Sequence, residues 1–225
     1  MNVRVLHGTA RAADATGHAV IIDVFRAFTT AAFCIAAGAK EIVLVASHEE
    51  ALAMKSKDAA LFLTGEIGGR PIPGFDAGNS PTVIERLDLT GRRVVQRTSS
   101  GTQAVVAASA RADALLAASF VVAEATVRYL RARARDVTLV ATDQPADDGT
   151  GHEDELCAGY LEALLRGEPV DVGAIVDEIW RREVYDWPDW FPRRDAELAS
   201  QVDRFTFALP VHRENGLLIA RPVFS

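Results

Sequence analysis

Cysteine, long apolar runs and clustered positive charge are scarce in this chain, and each scarcity removes a class of explanation. The only two cysteines of 225 residues, Cys34 and Cys157, lie within separate apolar helical patterns and have no CxxC spacing. A disulfide framework and a thiolate zinc site are thereby excluded, and two buried thiols fit a reducing, cytoplasmic setting. No apolar stretch reaches the roughly 18 residues of a membrane span, and no charged-then-apolar secretory pattern opens the sequence. With 24 Lys and Arg against 31 Asp and Glu the net charge is −7, which argues against nucleic acid as a partner. Arg131, Arg133 and Arg135 form the only local basic cluster and read as the solvated end of a helix. A Gly-Lys-Ser/Thr tripeptide is also missing, so there is no Walker A loop.

What is present is a globular composition, 49 % hydrophobic and 24 % charged, long enough to bury one sizeable core. Short β-rich runs are expected at Val3–Leu6, Ala19–Val24, Glu41–Val45, Ala60–Leu63, Arg93–Arg97, Ala114–Ala117 and Val137–Ala141. They alternate with helical patterns at Thr29–Ala37, Ser47–Lys55, Pro81–Arg86, Thr102–Arg111, Val121–Arg133 and Glu153–Arg166. That alternation predicts a three-layer α/β/α fold, with a mostly parallel or mixed sheet covered on both faces. Residues 168–225 differ and are expected to form a small, largely helical lobe on the same single domain. Helices are predicted at Val170–Tyr185 and Asp195–Phe205, and Glu214-Asn-Gly is a turn signal before Leu217–Ala220. Between the helices, Trp187, Trp190 and Phe191 can pin the lobe to the core or form a homodimer contact.

The polar residues fall at strand ends. Asp23 closes one strand and leads through Arg26 into a helix; Glu66 follows another; Asp143 follows Val137–Ala141. If the strands are parallel, these groups meet at one carboxyl edge, where open α/β sheets place ligands. The stretch Gly65–Pro81 carries Glu66 and Asp76 among five glycines and three prolines, which suits a loop shaped around a ligand rather than a helix or strand. Both carboxylates are candidate ligands of a hard cation. Asn79-Ser80-Pro81 reads as the cap and first turn of another helix. Thr98-Ser99-Ser100-Gly101-Thr102 opens a helix and offers backbone N–H groups to a phosphate, or else forms an ordinary cap. Asp23 and Arg26 make either a metal-and-anion pair or a local salt bridge. Glu153 and Asp154 suit the first turn of a helix, His152 is peripheral, and Asp143, Asp147 and Asp148 read as solvated.

Taken together, five segments resemble the 2-phosphosulfolactate phosphatase (ComB-like) family. They are Ile22-Asp-Val-Phe-Arg-Ala-Phe-Thr-Thr30, Gly65-Glu66, Gly74-Phe-Asp-Ala-Gly-Asn-Ser-Pro81, Thr98-Ser-Ser-Gly-Thr102 and Glu153-Asp-Glu-Leu-Cys-Ala-Gly159, with a weaker echo at Asp203-Arg-Phe-Thr-Phe207. The resemblance implies a layered α/β/α, Mg²⁺-dependent phosphohydrolase acting on a small sulfonated or carboxylated phosphoester. It carries an active-site role to Asp23, Arg26, Glu66, Asp76, Asn79, Thr98, Gly101 and Asp154. Phe25 and Phe28 depart from the family's Leu and small hydroxyl residue, which bears on the substrate more than on the chemistry.

The expected site therefore has Mg²⁺ held by two or three of Asp23, Glu66, Asp76 and Asp154. Asp23, Arg26, Asp76 and Thr98 are its candidate catalytic groups. Arg26, Asn79, Ser80, Thr98, Ser99, Ser100, Gly101 and Thr102 surround the phosphate, and Arg70 or Arg97 takes the substrate's second acid. A carboxylate acting as covalent nucleophile is the alternative to direct water attack. Two other functions stay open: a different small phosphoester as substrate, and a non-catalytic binder of phosphorylated metabolites.

Overall fold

Side chains on successive residues of a strand point to opposite faces, so a sheet covered on both sides needs strands that are apolar throughout. His18–Ile22 shows this directly, because Ala19 and Ile21 join one buried cluster while Val20 and Ile22 join another. A computed structural model of the chain describes residues 1–142, 152–181 and 187–224. Its first half runs β1 (Asn2–His7), β2 (His18–Ile22), α1 (Ala27–Ala36), β3 (Glu41–Leu44), α2 (His48–Lys57), β4 (Phe62–Ile67), β5 (Arg70–Pro71), β6 (Ala77–Gly78), α3 (Pro81–Ile84) and β7 (Arg93–Arg97). Then follow α4 (Gly101–Ala108), β8 (Ala114–Ala118), α5 (Ala123–Arg131), β9 (Asp136–Ala141), α6 (Glu153–Arg166), α7 (Val172–Arg181), α8 (Arg193–Ala199), β10 (Phe207–Glu214), β11 (Leu217–Ala220) and β12 (Val223–Phe224).

The strands form one mixed sheet in the order β1-β9-β2-β8-β10-β11-β3-β7-β4-β5, with β12 on β10 and β6 on β4. Two parallel blocks are visible, β1-β9-β2-β8 and β3-β7-β4, and the antiparallel hairpin β10–β11 joins them. The last residues are therefore not all part of a lobe. α7 and α8 lie outside the sheet, but β10 and β11 are two of its central strands. Pro210 conceals β10 in the sequence, since proline normally marks an edge strand; here it faces Leu116 of β8 in the pairing. The hairpin turn is the expected one, with Asn215 and Gly216 both at positive φ.

Three antiparallel steps separate β8 from β3, so the two blocks run in opposite senses. In a flat sheet their carboxyl ends would lie on opposite edges, contrary to the single edge expected from the sequence. Twist resolves the conflict. Helix α1 is buried from Ala27 through Ile35 and shares one cluster with Ile21 and Ala117 of the first block and Ile42, Phe62 and Val94 of the second. Wrapped over α1, the sheet brings the end of β2 against the residues that follow β7.

Helix α8 ends at Ala199 rather than Phe205, and Asp203, four residues on, adopts a positive φ of 56° that a continuing helix would not allow. Its carboxylate accepts from the Glu124 N–H at 2.6 Å, capping α5, and from the Tyr160 hydroxyl at 2.8 Å. Asp143, Asp147, Asp148 and the end of the predicted 170–185 helix lie outside the described residues.

Candidate active site

Asp23 leaves β2 with its N–H still bonded to the Ala118 carbonyl, so its position is set by the sheet. Its carboxylate then meets two helix starts. Oδ1 accepts from the N–H of Ala27, the first residue of α1, and Oδ2 accepts from the N–H of Gly101, the first residue of α4, both at 2.8 Å. Helix N-termini carry partial positive charge and unsatisfied donors, which the two oxygens of this side chain satisfy. Gly101 is needed here: a Cβ would lie 2.8 Å from Asp23 Oδ2 and 2.9 Å from the Ala27 Cβ.

Glu66, near the end of β4, is buried and also held by uncharged donors. Oε1 accepts from the Ser99 N–H, while Oε2 accepts from the Gly69 N–H at 2.6 Å and the Ser99 hydroxyl at 3.0 Å. Ser99 Oγ in turn accepts from Gly68 N–H at 2.9 Å. Three of the donors expected to bind an external phosphate are thus occupied within the protein, two of them by its own acids. Gly101 serves Asp23, Ser99 serves Glu66, and the Thr102 N–H goes to Thr98 Oγ1 at 3.0 Å.

Arg26, only 4 % exposed, supplies the positive charge. Its Nη1 donates to the Trp190 carbonyl at 2.7 Å and to Asp195 Oδ2 at 3.0 Å, and Nη2 donates to the Gly69 carbonyl at 3.0 Å. The Phe191 ring packs 4.3 Å from the guanidinium carbon. Trp190 covers Gly69 so closely that a Cβ there would come within 2.3 Å of the indole, and φ of +81° already favours glycine.

Asp23, Phe25, Arg26, Glu66, Gly68, Gly69, Asn79, Ser99, Ser100, Trp190 and Phe191 enclose a cavity of about 330 Å³. Of the acids expected to hold a cation, the structure thus brings Asp23 and Glu66 together. Asp154 stands one residue away from Asp23, where Oδ1 accepts from Val24 N–H at 2.6 Å and Oδ2 from the Thr142 hydroxyl at 2.9 Å; it does not line the cavity. Asp76 is a correction. It pairs with Lys55 and accepts from Leu63 N–H at 2.7 Å, three residues before Glu66 at the other end of β4. Burial opposes ionisation of Asp76, but the Leu63 N–H and the Lys55 ammonium outweigh it and hold the carboxyl below its usual range.

Four more candidates are displaced from the cavity by local bonding. Thr98 and Thr102 are buried and hydrogen-bonded to each other. Ser80 caps α3 and donates to Asp195 at 2.6 Å. Arg97 turns to the Glu66 carbonyl at 2.8 Å, whereas Arg70 lies 5.5 Å from the Trp190 ring centre, beside the lining residue Gly69. Of the two aromatic departures, Phe25 lines the cavity and Phe28 is fully buried in the core. Burial also pushes the Cys34 and Cys157 thiols well up, so neither supplies a thiolate. Asp195 had no signal in the sequence, being 169 residues from its partner Arg26.

The family model for 2-phosphosulpholactate phosphatase matches residues 6–189, a span that holds every cavity residue except Trp190 and Phe191. This chain belongs to the 2-phosphosulpholactate phosphatase family. A relative from Carboxydothermus hydrogenoformans is 39 % identical over 73 % of this chain and 68 % of its own length. Others from Deinococcus radiodurans and Bacillus subtilis are 38 % and 35 % identical, over 65 % and 69 % of this chain and 61 % and 67 % of theirs. All three are named Probable 2-phosphosulfolactate phosphatase. The family match stops short of α8 and of the central hairpin β10–β11, so the sheet of this member is completed by residues beyond it. No helix among the described residues is long and apolar enough to cross a membrane.

Proposed function

We propose that this protein is a Mg²⁺-assisted phosphatase. It hydrolyses a small phosphorylated hydroxy acid, 2-phosphosulfolactate or a related sulfonate or carboxylate ester, to the hydroxy acid and phosphate. The observation that carries the reading is the pair of buried carboxylates, Asp23 and Glu66, facing one cavity with Arg26. Family membership and the relatives' names point to the same chemistry.

Electrostatics supports the cation. Two carboxylates and a single guanidinium that is itself paired with Asp195 give a cavity wall that repels a polyanion. The donors around Ser99 and Gly101 do not offset this, because they are bonded to the two acids. Among the described residues no group of three or more acidic, histidine or cysteine side chains forms a cage. Mg²⁺ does not need one, since it is commonly bound by one or two carboxylates together with substrate phosphate oxygens. Asp23 and Glu66 fit that pattern as hard oxygen donors already held in place by backbone N–H groups. Bound there, Mg²⁺ would neutralise the phosphoryl oxygens and polarise the phosphorus centre. The remaining N–H groups of Arg26 bind a phosphoryl oxygen, and Asn79 lies on the same wall. Phe25, Trp190 and Phe191 exclude bulk water, and Arg70 at the rim meets the second acidic group.

The test is phosphate release from 2-phosphosulfolactate and other small phosphorylated hydroxy acids, with and without EDTA. Release that needs Mg²⁺ and is lost in Asp23→Asn is expected. Release that survives EDTA removes the metal from the scheme, and no release from any monoester removes the phosphatase. A different small phosphoester is favoured by the three aromatic rings that line the cavity, Phe25, Trp190 and Phe191. A higher kcat/KM for monoesters with an apolar tail would select it.

A further inference from the structure

A guanidinium has five N–H groups in a rigid plane, so fixing a few of them aims the others. Arg26 spends three donor contacts on the Trp190 carbonyl, the Gly69 carbonyl and Asp195 Oδ2. Among the described residues Nε–H and one Nη2–H have no such bond, and they belong to a side chain that lines the cavity. Asp195, at the third position of α8, is fully buried. Its second oxygen accepts from Ser80 Oγ at 2.6 Å and from Thr82 N–H at 3.0 Å. One carboxylate therefore joins Arg26 to the turn that carries Asn79, another cavity residue, and both groups stand on the wall of the phosphate pocket.

Stability alone does not account for such a group. Buried ion pairs lose about as much in desolvation as they gain, and apolar replacements are often neutral or stabilising. The arrangement does fix direction, because Asp195, itself held by Ser80 and Thr82, fixes one of the three contacts that aim the guanidinium. We propose that Asp195 is a positioning residue of the phosphate site, orienting Arg26 toward the phosphoryl group and setting its spacing from Asn79. The proposal rests on the phosphatase reading above and adds a residue beyond the 6–189 span of the family match.

The test is a double-mutant cycle with Arg26→Gln and Asp195→Asn in the full chain, since residues acting through one another are non-additive. KM, kcat and inhibition by inorganic phosphate are measured together with Tm. Asp195→Asn is expected to raise KM and the phosphate inhibition constant about tenfold, the scale of a lost charge-assisted contact. In the Arg26→Gln background it should add less than about twofold. Guanidinium ion should partly restore Arg26→Ala while Asp195 is present and fail in the Arg26→Ala/Asp195→Ala pair. Multiplicative effects, or a lower Tm with KM and phosphate inhibition unchanged, overturn the proposal. If Asp195→Asn does not fold, Ser80→Ala tests the same linkage with a smaller shift of the same kind. If the wild-type chain releases no phosphate, the phosphatase reading fails on its own; the same cycle, read by calorimetry with inorganic phosphate, then still decides the role of Asp195.

Discussion

Glu66 and Asp76 belong to one glycine-rich stretch, lie ten residues apart and look alike in the sequence, yet they end in different surroundings. Glu66 is buried, accepts three uncharged donors and faces the cavity. Asp76 is about a third exposed and forms a salt bridge with Lys55 on α2. The difference teaches that the type of donor, more than the acidity of the loop, separates a site carboxylate from a structural one. Neutral N–H donors hold a negative charge without cancelling it, and so leave it for a cation. An ammonium cancels it.

The largest effect expected from this comparison is at Asp23, the other carboxylate held by neutral donors. Asp23→Asn should lower kcat for phosphate release by about 10² to 10³, the range seen when a charge-stabilising group is removed from an active site. Glu66→Gln should cost about tenfold to 10², with a raised Mg²⁺ requirement, because it holds the Ser99 turn as well as facing the cavity. If Glu66→Gln and Asp76→Asn give equal activities, the two carboxylates do not differ in role. A smaller, mixed effect is expected from Gly69→Ala, where a methyl group would collide with the Trp190 ring. Strain at this positive φ adds about 1–2 kcal/mol, so a lower Tm and a severalfold higher KM should appear together.

The smallest change in activity belongs to Asp76→Asn, within about twofold, but it sharpens the comparison through pH. The folded-state carboxyl of Asp76 is lowered, so the group stabilises the fold above its unfolded titration range, near pH 4. That contribution is lost as pH falls through the folded value. Acid unfolding of Asp76→Asn should therefore show a shallower pH dependence than wild type, while the neutral-pH cavity is unaffected. An unchanged acid limb would mean that the Lys55 pair contributes nothing measurable, as many partly exposed pairs do.

Much of the fold was legible because it rests on local regularities. Short, continuously apolar runs gave the parallel strands, and alanine-rich stretches gave the helices between them. Asn215-Gly216 announced its hairpin, as only residues tolerant of positive φ suit that turn. β10 was hidden because Pro210 and the polar His212-Arg-Glu end argue against a strand by propensity, and only its neighbours β8 and β11 impose one. In the site, Asp23, Arg26, Glu66, Asn79, Ser99 and Ser100 stood out by residue type and loop context. Asp76, Thr98 and Ser80 stood out just as clearly and face other partners. Spacing along a loop carries no information about which way it folds back.

The chain's own order of residues determined the strand-and-helix alternation, the glycine-shaped turns and the supply of acids at strand ends, since each depends on near neighbours. The tertiary structure alone decided that two blocks of opposite sense wrap one buried helix. It also decided that Gly101 meets Asp23, and that Asp195 reaches Arg26 across 169 positions. Those pairings arise from sheet twist and burial over distances that no local pattern encodes.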